Sequence, residues 1–197
     1  MPAASTLHQR LPRPIGPDAR RRPHLVVLGL DPGLQRTGYG ALSVDGGRPS
    51  VREAGVLVTR SRDGLAGRLL QLYRDIDTLL RDLRPEVVVL EDLFVHHQFP
   101  RTALVLGHAR GIIMLSAAAA GVRVMELPPS AVKRAVAGSG RASKMQVQRA
   151  VRTLLGVRGL SNSHAADALA LAYAGWSRAS AGLARAAGTR RARGGRG

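Results

Sequence analysis

"VLGLDPGLQRTGYGALSV" (residues 27–44) decides the fold of this chain. An apolar run ends on Asp31, a Pro-Gly pair turns the chain, and a second apolar run follows Gly38. This pattern predicts two strands, 25–31 and 37–44, joined as a hairpin. Aspartate is a poor strand residue and is costly to bury without a partner, so Asp31 either caps the turn or holds a ligand.

Outside this hairpin, apolar periodicity predicts further strands and helices. Apolar residues three and four apart between 63 and 83 indicate an amphipathic helix, which Asp63 caps. A strand that follows such a helix is typical of a crossover to a parallel neighbour. The other predicted elements are strands at 51–58, 86–92 and 122–128, and helices at 102–120, 128–138, 143–156 (capped by Ser143) and 161–176. The order βββαβαβααα is that of an α/β layer fold.

The chain is basic throughout its length. Thirty Lys and Arg residues stand against 13 Asp and Glu in 197 residues, which gives a net charge of +17. Residues 1–24 carry +4 and residues 178–197 carry +6, which leaves +7 for residues 25–177. The two tails are rich in Pro, Gly, Ala and Arg, so we predict one domain over 25–177 between disordered tails. The charge favours nucleic acid as a partner, unless GC-rich codon usage alone supplies the arginines.

Residue types that are missing limit the possible functions. Cysteine is absent, which excludes disulfides and cysteine zinc sites and fits a reducing compartment, so we expect a cytoplasmic protein. No apolar stretch approaches the roughly 20 residues that a membrane span needs. The N-terminal residues contain no continuous apolar segment of the secretory type. We therefore expect no membrane partner.

Acidic residues end two of the predicted strands. Asp31 closes the first strand, and Glu91 lies at the end of the run EVVVLED. If these strands are parallel neighbours, both carboxylates lie at the carboxyl edge of the sheet, where α/β proteins bind ligands. Asp167 and His164 are three residues apart in the last helix and share one helix face. The sequence thus offers three carboxylates and one imidazole to a single site.

Three carboxylates at one edge raise one another's pKa unless a cation compensates them. Oxygen ligands suit Mg²⁺ or Mn²⁺, and two such ions about 3.5–4 Å apart activate water and stabilise the leaving oxygen in phosphodiester cleavage. A basic protein with an acidic metal site has the composition of a nuclease. Taken singly, three of the four residues have a simpler explanation: Asp31 in a turn, Glu91 at a solvated strand end, and His164 as a cap or core residue. Asp167 is harder to explain as a surface residue, because its neighbours in the helix are apolar.

Five motifs in order extend this interpretation over almost the whole region between the tails. They are LGLDPGLQRTGYG, LEDLF, LGHARG, PPSAVKRAVAGSGRASKMQVQRAVRTLL and HAADALALA, and all lie within residues 25–177. Together they resemble the RuvC family, the bacterial Holliday-junction resolvases. The resemblance implies a ribonuclease-H-like α/β fold, with a mixed five-stranded sheet flanked by helices.

The resemblance also implies an activity. A family member would be a homodimeric endonuclease that uses two Mg²⁺ ions per subunit, with Mn²⁺ as a substitute. It would resolve four-way DNA junctions in recombination and repair by paired symmetric nicks that leave ligatable ends. The helix that carries Gly107 and Gly111 helps to form the dimer in the family. The further partner would be the branch-migration motor complex, of the RuvA and RuvB type.

The catalytic acids of the family match Asp31, Glu91 and Asp167. The fourth position falls on His164, where many members have aspartate. A neutral imidazole brings less negative charge and a nitrogen ligand, which favours Mn²⁺, and it also offers a proton carrier. We hypothesise that His164 binds or approaches one metal ion.

Other matched residues face DNA in the family. Lys133 and Lys144 match its basic residues, and Lys144 begins a helix from which it can stabilise charge at the scissile phosphate. Phe94 matches an aromatic that inserts at the junction centre, where stacking on an unpaired base contributes ~1–3 kcal/mol. Arg101, just before the next helix, is a further candidate for DNA contact. The simpler explanations are a solvated helix face for Lys144 and a core contact for Phe94.

Three alternatives stay open. Asp31-Pro-Gly followed by Thr37 and Gly38 also resembles the phosphate loop of actin-like ATPases, although those proteins need two such domains. A non-catalytic junction-binding protein would keep the basic surface without using the acids. A nuclease of the same fold would act on a different structured nucleic acid.

Overall fold

The structure, a computed structural model, has the predicted order of elements. It describes the backbone of residues 25–92, 100–157 and 159–193, and the side chains of these residues except 100–102 and 182–193. The elements are β1 Leu25–Asp31, β2 Arg36–Asp45, β3 Arg48–Val58, α1 Leu65–Leu83, β4 Val87–Glu91, α2 Pro100–Ala119, β5 Arg123–Leu127, α3 Pro129–Ala137, α4 Lys144–Leu154 and α5 Ser163–Arg193.

Local signals set the starts of two helices. Ser143 caps α4 as predicted: its hydroxyl accepts a hydrogen bond from the backbone N–H of Gln146, and the Gln146 side chain accepts one from the N–H of Ser143. The prediction that Asp63 caps α1 is wrong, because Gly64 occupies the N-cap and no side chain caps this end. Asp63 lies one position too early to reach the first free amides of the helix.

The last helix is longer than predicted. α5 runs from Ser163 to Arg193, whereas the sequence predicted its end near residue 176 and a disordered tail over 178–197. The structure differs from that expectation as far as Arg193. Alanine and arginine are strong helix formers, and they extend a helix that packing against the sheet has already nucleated. The other predicted tail, residues 1–24, lies outside the described residues.

One mixed sheet of five strands forms the centre of the fold, in the order β3-β2-β1-β4-β5. β1 pairs antiparallel with β2 and parallel with β4, and β4 pairs parallel with β5, which confirms the predicted mixed sheet. In this register Leu30 lies opposite Leu90, and Asp31 lies opposite Gly38. Asp31 and Glu91, the next residues of the two parallel strands, therefore leave the sheet at the same edge.

Helices cover both faces of the sheet. On one face α3, α4 and α5 enclose a core that includes Val27 and Val89. On the other face α1 and α2 enclose Leu28, Leu90 and Ile113. Successive residues of β1 and β4 thus enter opposite cores, as the two-residue period of a strand requires. No helix in the described part of the chain is long and apolar enough to cross a membrane.

Three glycines let α5 lie directly against β1 and β2. A Cβ added at Gly29 would lie 2.0 Å from the carbonyl oxygen of Ala168, and one at Gly38 would lie 2.2 Å from that of His164. At Gly40 an added Cβ would be 2.8 Å from another main-chain atom of α5. No residue with a side chain fits these gaps. The glycines of the opening motif therefore set the height of α5 above the sheet.

Replacing Gly29 with alanine is expected to destabilise the fold, because the new methyl group would meet main-chain atoms that cannot rotate away. The free energy of unfolding, measured by urea denaturation, should fall by about 3 kcal/mol. Gly67→Ala is the control. Gly67 lies on the exposed side of α1, where an added Cβ would be in ordinary contact with Asp63 Cβ at 3.4 Å, and alanine should stabilise the fold by about 0.5 kcal/mol. Equal stability of the Gly29 variant and wild type would show that α5 does not approach β1 so closely.

Candidate active site

Four ionisable side chains meet at the carboxyl edge of β1 and β4. Asp31 ends β1 and Glu91 ends β4, and the first turns of α5 bring His164 and Asp167 to the same edge. His164 Nδ1 lies 2.9 Å from Asp31 Oδ2, and the charges of Asp31 and Asp167 both act on Glu91. The structure thus brings together all four residues that the sequence placed in one site.

The contact between Asp31 and His164 determines which ring nitrogen of the histidine faces Asp31. The side-chain oxygen of Asn162 accepts the backbone N–H of His164 at 2.9 Å, which holds the first turn of α5 in place. Because an ionised carboxylate can only accept hydrogen bonds, Nδ1 of His164 donates to Asp31. This leaves Nε2 as the nitrogen that is available to a metal ion or a proton.

Asp167 is held by α4. Its Oδ2 lies 2.6 Å from Nζ of Lys144, and its Oδ1 accepts a hydrogen bond of 3.0 Å from Nε2 of Gln148. Lys144 and Gln148 are four residues apart and share one face of α4. The sequence analysis missed Gln148, and its spacing from a predicted site lysine is the signal that would have found it.

The surroundings of the carboxylates change their acidity. Burial is the main cause that raises the pKa of Asp31 above its ordinary 3.8; Asp167 adds repulsion, while His164 and Lys144 act in the opposite direction. Burial at the strand end, and then the charges of Asp31 and Asp167, raise the pKa of Glu91, although part of this residue is open to solvent. The hydrogen bond to Asp167 raises the pKa of Lys144.

Two lysines face this negative edge. Lys144 is paired with Asp167, and Lys133 on α3 lies near enough to lower the pKa of Glu91 against the other influences on it. The edge thus carries three carboxylates, those of Asp31, Glu91 and Asp167, and two amines. The edge therefore keeps an excess of negative charge when all five groups are ionised.

The donor set of this edge fits Mg²⁺ or Mn²⁺. Asp31, Glu91 and Asp167 offer carboxylate oxygens and His164 offers one nitrogen, all of which are ligands of these ions. Within the described ranges, no three His, Cys, Asp or Glu side chains form a closed metal-binding group. Mg²⁺ needs no such cage, since it keeps several waters and binds through one or two carboxylates and a substrate phosphate.

An open groove of about 730 Å³ lies along α4 beside Lys144. It is lined by Ser143, Met145, Gln146, Gln148, Arg149 and Arg152. The guanidinium groups of Arg149 and Arg152 can contact the phosphate backbone of a nucleic acid. Of the other residues predicted to contact DNA, Phe94 and the side chain of Arg101 lie outside the described residues.

The family model described as Crossover junction endodeoxyribonuclease RuvC matches residues 27–174. The chain belongs to the RuvC family. The crossover junction endodeoxyribonuclease RuvC of Rhodopirellula baltica is 41% identical over 150 residues, which cover 76% of this chain and 84% of the relative. The RuvC of Halorhodospira halophila is 46% identical over 147 residues, which cover 74% of this chain and 86% of the relative. The resemblance inferred from the five motifs is confirmed.

Solved RuvC structures share the fold of this chain. A T. thermophilus RuvC in complex with a Holliday junction substrate matches with a TM-score of 0.71 and 33% identity, covering 77% of this chain and 92% of that chain. The yeast mitochondrial Holliday junction resolvase Ydc2 matches in fold alone, with a TM-score of 0.53 and 14% identity over 76% of this chain and 78% of that chain. The ribonuclease-H-like fold predicted for a RuvC protein is confirmed.

The stability of an Asp31→Asn variant should depend on pH. Because burial raises the folded-state pKa of Asp31 above 3.8, the contribution of this carboxyl to the stability of the metal-free wild type is lost as the pH rises from that value through the folded-state pKa. Asparagine carries no charge, so the melting temperature of the variant relative to wild type should rise between about pH 3 and pH 7. Thermal unfolding in EDTA measures this difference.

Gly67→Ala removes no charge and is the control for this series; its difference from wild type should be the same at every pH. A difference between Asp31→Asn and wild type that is equally independent of pH would contradict the burial assigned to the Asp31 carboxylate.

Proposed function

We propose that the protein is a structure-selective endonuclease that resolves four-way DNA junctions in recombination and repair. It makes paired symmetric nicks in strands of like polarity and leaves ligatable ends. The convergence of Asp31, Glu91 and Asp167 with Lys144 at one sheet edge, in a chain of the RuvC family, carries this proposal. The T. thermophilus relative bound to a Holliday junction substrate supports four-way DNA as the substrate.

Metal ions act at this edge in the proposal. Asp31, Glu91 and Asp167 would hold Mg²⁺ through oxygen, two ions per subunit, with His164 as a nitrogen donor and Mn²⁺ as a substitute. When bound, the ions supply Lewis-acid charge and lower the pKa of a bound water. The excess negative charge of the edge and the oxygen-rich donor set support this assignment.

The chain's own residues orient and balance the site. Lys144 exchanges its contact with Asp167 for a nonbridging oxygen of the scissile phosphate, where its charge offsets the charge that develops in the transition state. Gln148 keeps its hydrogen bond to Asp167 and holds that carboxylate in place while Lys144 moves. Nδ1 of His164 stays on Asp31 and fixes the direction of the ring.

DNA follows the basic surface around the site. Lys133 and Lys144 flank the acidic edge, and Arg149 extends the same surface along the groove of α4. Phe94 and Arg101 are assigned to DNA from their match to the family, with Phe94 stacking on a base at the junction centre. Contacts to phosphate position the junction, and its branched shape selects it over a linear duplex.

A homodimer presents two such sites to one junction. Leu104 and Leu115 on α2 are 65% and 60% exposed, and they line an open groove of about 750 Å³ with Gly107 and Gly111. Exposed apolar patches of this kind mark interaction sites, and glycines allow two helices to approach closely. Two-fold symmetry matches the symmetric cutting of two like strands.

The cellular setting of the proposal follows from the family and the substrate. The branch-migration motor complex, of the RuvA and RuvB type, is the further partner assigned from the resemblance. The cytoplasm is the proposed location, because bacterial chromosomal DNA recombines there. The cysteine-free sequence is compatible with that reducing compartment.

Cleavage of a labelled mobile four-way junction tests the proposed activity. With Mg²⁺ the protein should produce paired nicks at symmetric positions, and DNA ligase should seal the products. Asp31→Asn should lower the single-turnover rate by about 1,000-fold or more, because it removes a metal-binding carboxylate. Asp77→Asn is the matched control: Asp77 pairs with Arg81 on α1, away from the sheet edge, and the variant should cut like wild type.

Junction binding in EDTA separates loss of chemistry from loss of affinity. Asp31→Asn should bind the four-way junction as tightly as wild type, and both should bind a linear duplex more weakly. If the wild-type protein bound the junction tightly but did not cut it in either Mg²⁺ or Mn²⁺, the result would contradict the nuclease proposal and favour a non-catalytic junction-binding protein. Equal cleavage rates on linear duplex and junction would contradict structure selectivity.

His164 is expected to set the metal preference. His164→Asp places a hard oxygen ligand where many family members have one, so the ratio of the cleavage rate in Mg²⁺ to that in Mn²⁺ should rise. His164→Ala should lower the rate in Mn²⁺ more than in Mg²⁺. Single-turnover rates at saturating protein give both ratios, with wild type as the reference. A His164→Ala enzyme with unchanged rate and metal dependence would refute a role at the metal.

A further inference from the structure

Arg110 is the one buried cation among the side chains that the structure describes. It lies in the middle of α2 with its side chain only 8% exposed. Burial lowers the pKa of this guanidinium, and the nearby carboxylate of Asp92 opposes that effect. A charge buried in this way is stable only when its donors are paired, so its partners indicate its role.

The guanidinium of Arg110 joins the ends of two strands. Nη1 donates to the main-chain carbonyl oxygen of Glu91, the last residue of β4, and Nη2 donates to Oε1 of Glu126 in β5. One residue further on, the N–H of Asp92 donates to the carbonyl oxygen of Leu127 at 2.8 Å. Arg110 therefore fastens the point at which β4 ends and the candidate site begins.

Arg110 and the side chain of Glu91 lie on opposite faces of the sheet. Val89 belongs to the core under α5 and Leu90 to the core under α2, so the side chain of Glu91 leaves on the α5 side. Arg110 approaches the same residue from the α2 side and contacts only its main chain. The arginine can thus hold Glu91 without competing for its carboxylate.

Glu91 has more need of such support than the other two acids. Asp31 is in contact with His164, and Asp167 is in contact with Lys144 and Gln148. Within the described residues, the side chain of Glu91 accepts no hydrogen bond. The point from which this side chain leaves the sheet is therefore set by its main chain.

We propose that Arg110 is a positioning residue for the carboxylate of Glu91. Its hydrogen bond to the Glu91 carbonyl fixes the backbone of the strand end, and the ion pair with Glu126 keeps the guanidinium in place. Glu126 is 44% exposed and can accept water on its free side. This inference rests on the proposed function, in which Glu91 binds metal, and it adds a residue that touches neither metal nor DNA.

Arg110→Met tests the proposal, because methionine keeps an apolar stem but removes every donor. The dissociation constant for Mn²⁺, measured from the free-ion signal in electron paramagnetic resonance, should rise about tenfold, and cleavage at limiting metal should fall in step. Junction affinity in EDTA should not change. Arg110→Lys keeps the charge but cannot span both partners, so its effect should lie between those of wild type and Arg110→Met.

Arg52→Met is the matched control. Arg52 also donates to main-chain oxygens, those of Leu83 at 2.9 Å and Asp82 at 3.3 Å, but at the opposite edge of the sheet. Its loss should lower the melting temperature and leave the affinity for Mn²⁺ unchanged. An equal loss of Mn²⁺ affinity in Arg52→Met and Arg110→Met would mean that stability alone is responsible, and it would overturn the proposal.

Amide hydrogen exchange supplies a readout that does not depend on activity. In Arg110→Met the amide of Asp92 should exchange about tenfold faster. The amide of Glu86, which donates to Val26 at 3.0 Å at the other end of β4, should keep its wild-type rate. Unchanged exchange at Asp92 would overturn the proposal. If Arg110→Met does not fold, Arg110→Lys carries the same measurements.

The outcomes for this inference and for the proposed function can be told apart. A wild-type protein that neither binds Mn²⁺ nor cuts junctions would end the proposed function. Exchange at Asp92 would still decide whether Arg110 holds the end of β4. Normal cleavage by wild type and by Arg110→Met at every metal concentration would end this inference alone.

Discussion

The contact between α5 and the bare main chain of Gly29, Gly38 and Gly40 governs the geometry of the candidate active site. His164 lies in the turn of α5 that touches Gly38, and Asp167 lies beside the turn that touches Gly29. A contact of 2.9 Å between His164 and Asp31 survives only if the helix stays at that height. Packed interiors yield little, so a single methyl group between helix and sheet would displace the charged residues as well.

Around this contact, three helices support the three acids in different ways. α5 holds Asp31 through an imidazole, and α4 holds Asp167 through an amine and an amide. α2 acts on Glu91 from the far side of the sheet, through the main chain. The same helix carries the exposed apolar face that we assign to a second subunit. The helix that contacts the strand end bearing Glu91 is therefore also the helix that carries the proposed interface.

Sequence patterns predicted those parts of the site that depend on side chains at regular spacings. Strand ends placed Asp31 and Glu91 at one edge, and the i, i+3 spacing placed His164 beside Asp167 on one face of a helix. Arg110 escaped this reasoning because its partner on the site is a carbonyl oxygen, which every residue has. The length of α5 escaped it because an Ala- and Arg-rich segment has the composition of a disordered tail, whereas the packed helix before it favours continuation.

The ion pair between Lys144 and Asp167 has a consequence for the life of the protein in the cell. A zinc finger unfolds when its ion is removed, because the metal supplies the energy of folding. Here the ammonium of Lys144 already offsets part of the acidic charge, and two layers of apolar core hold the sheet on both faces. Scarcity of divalent ions would therefore stop cleavage without unfolding the protein, so the protein would not become a substrate for proteases. Metal supply and protein synthesis would then control the activity separately, and metal-free protein could regain activity without new translation.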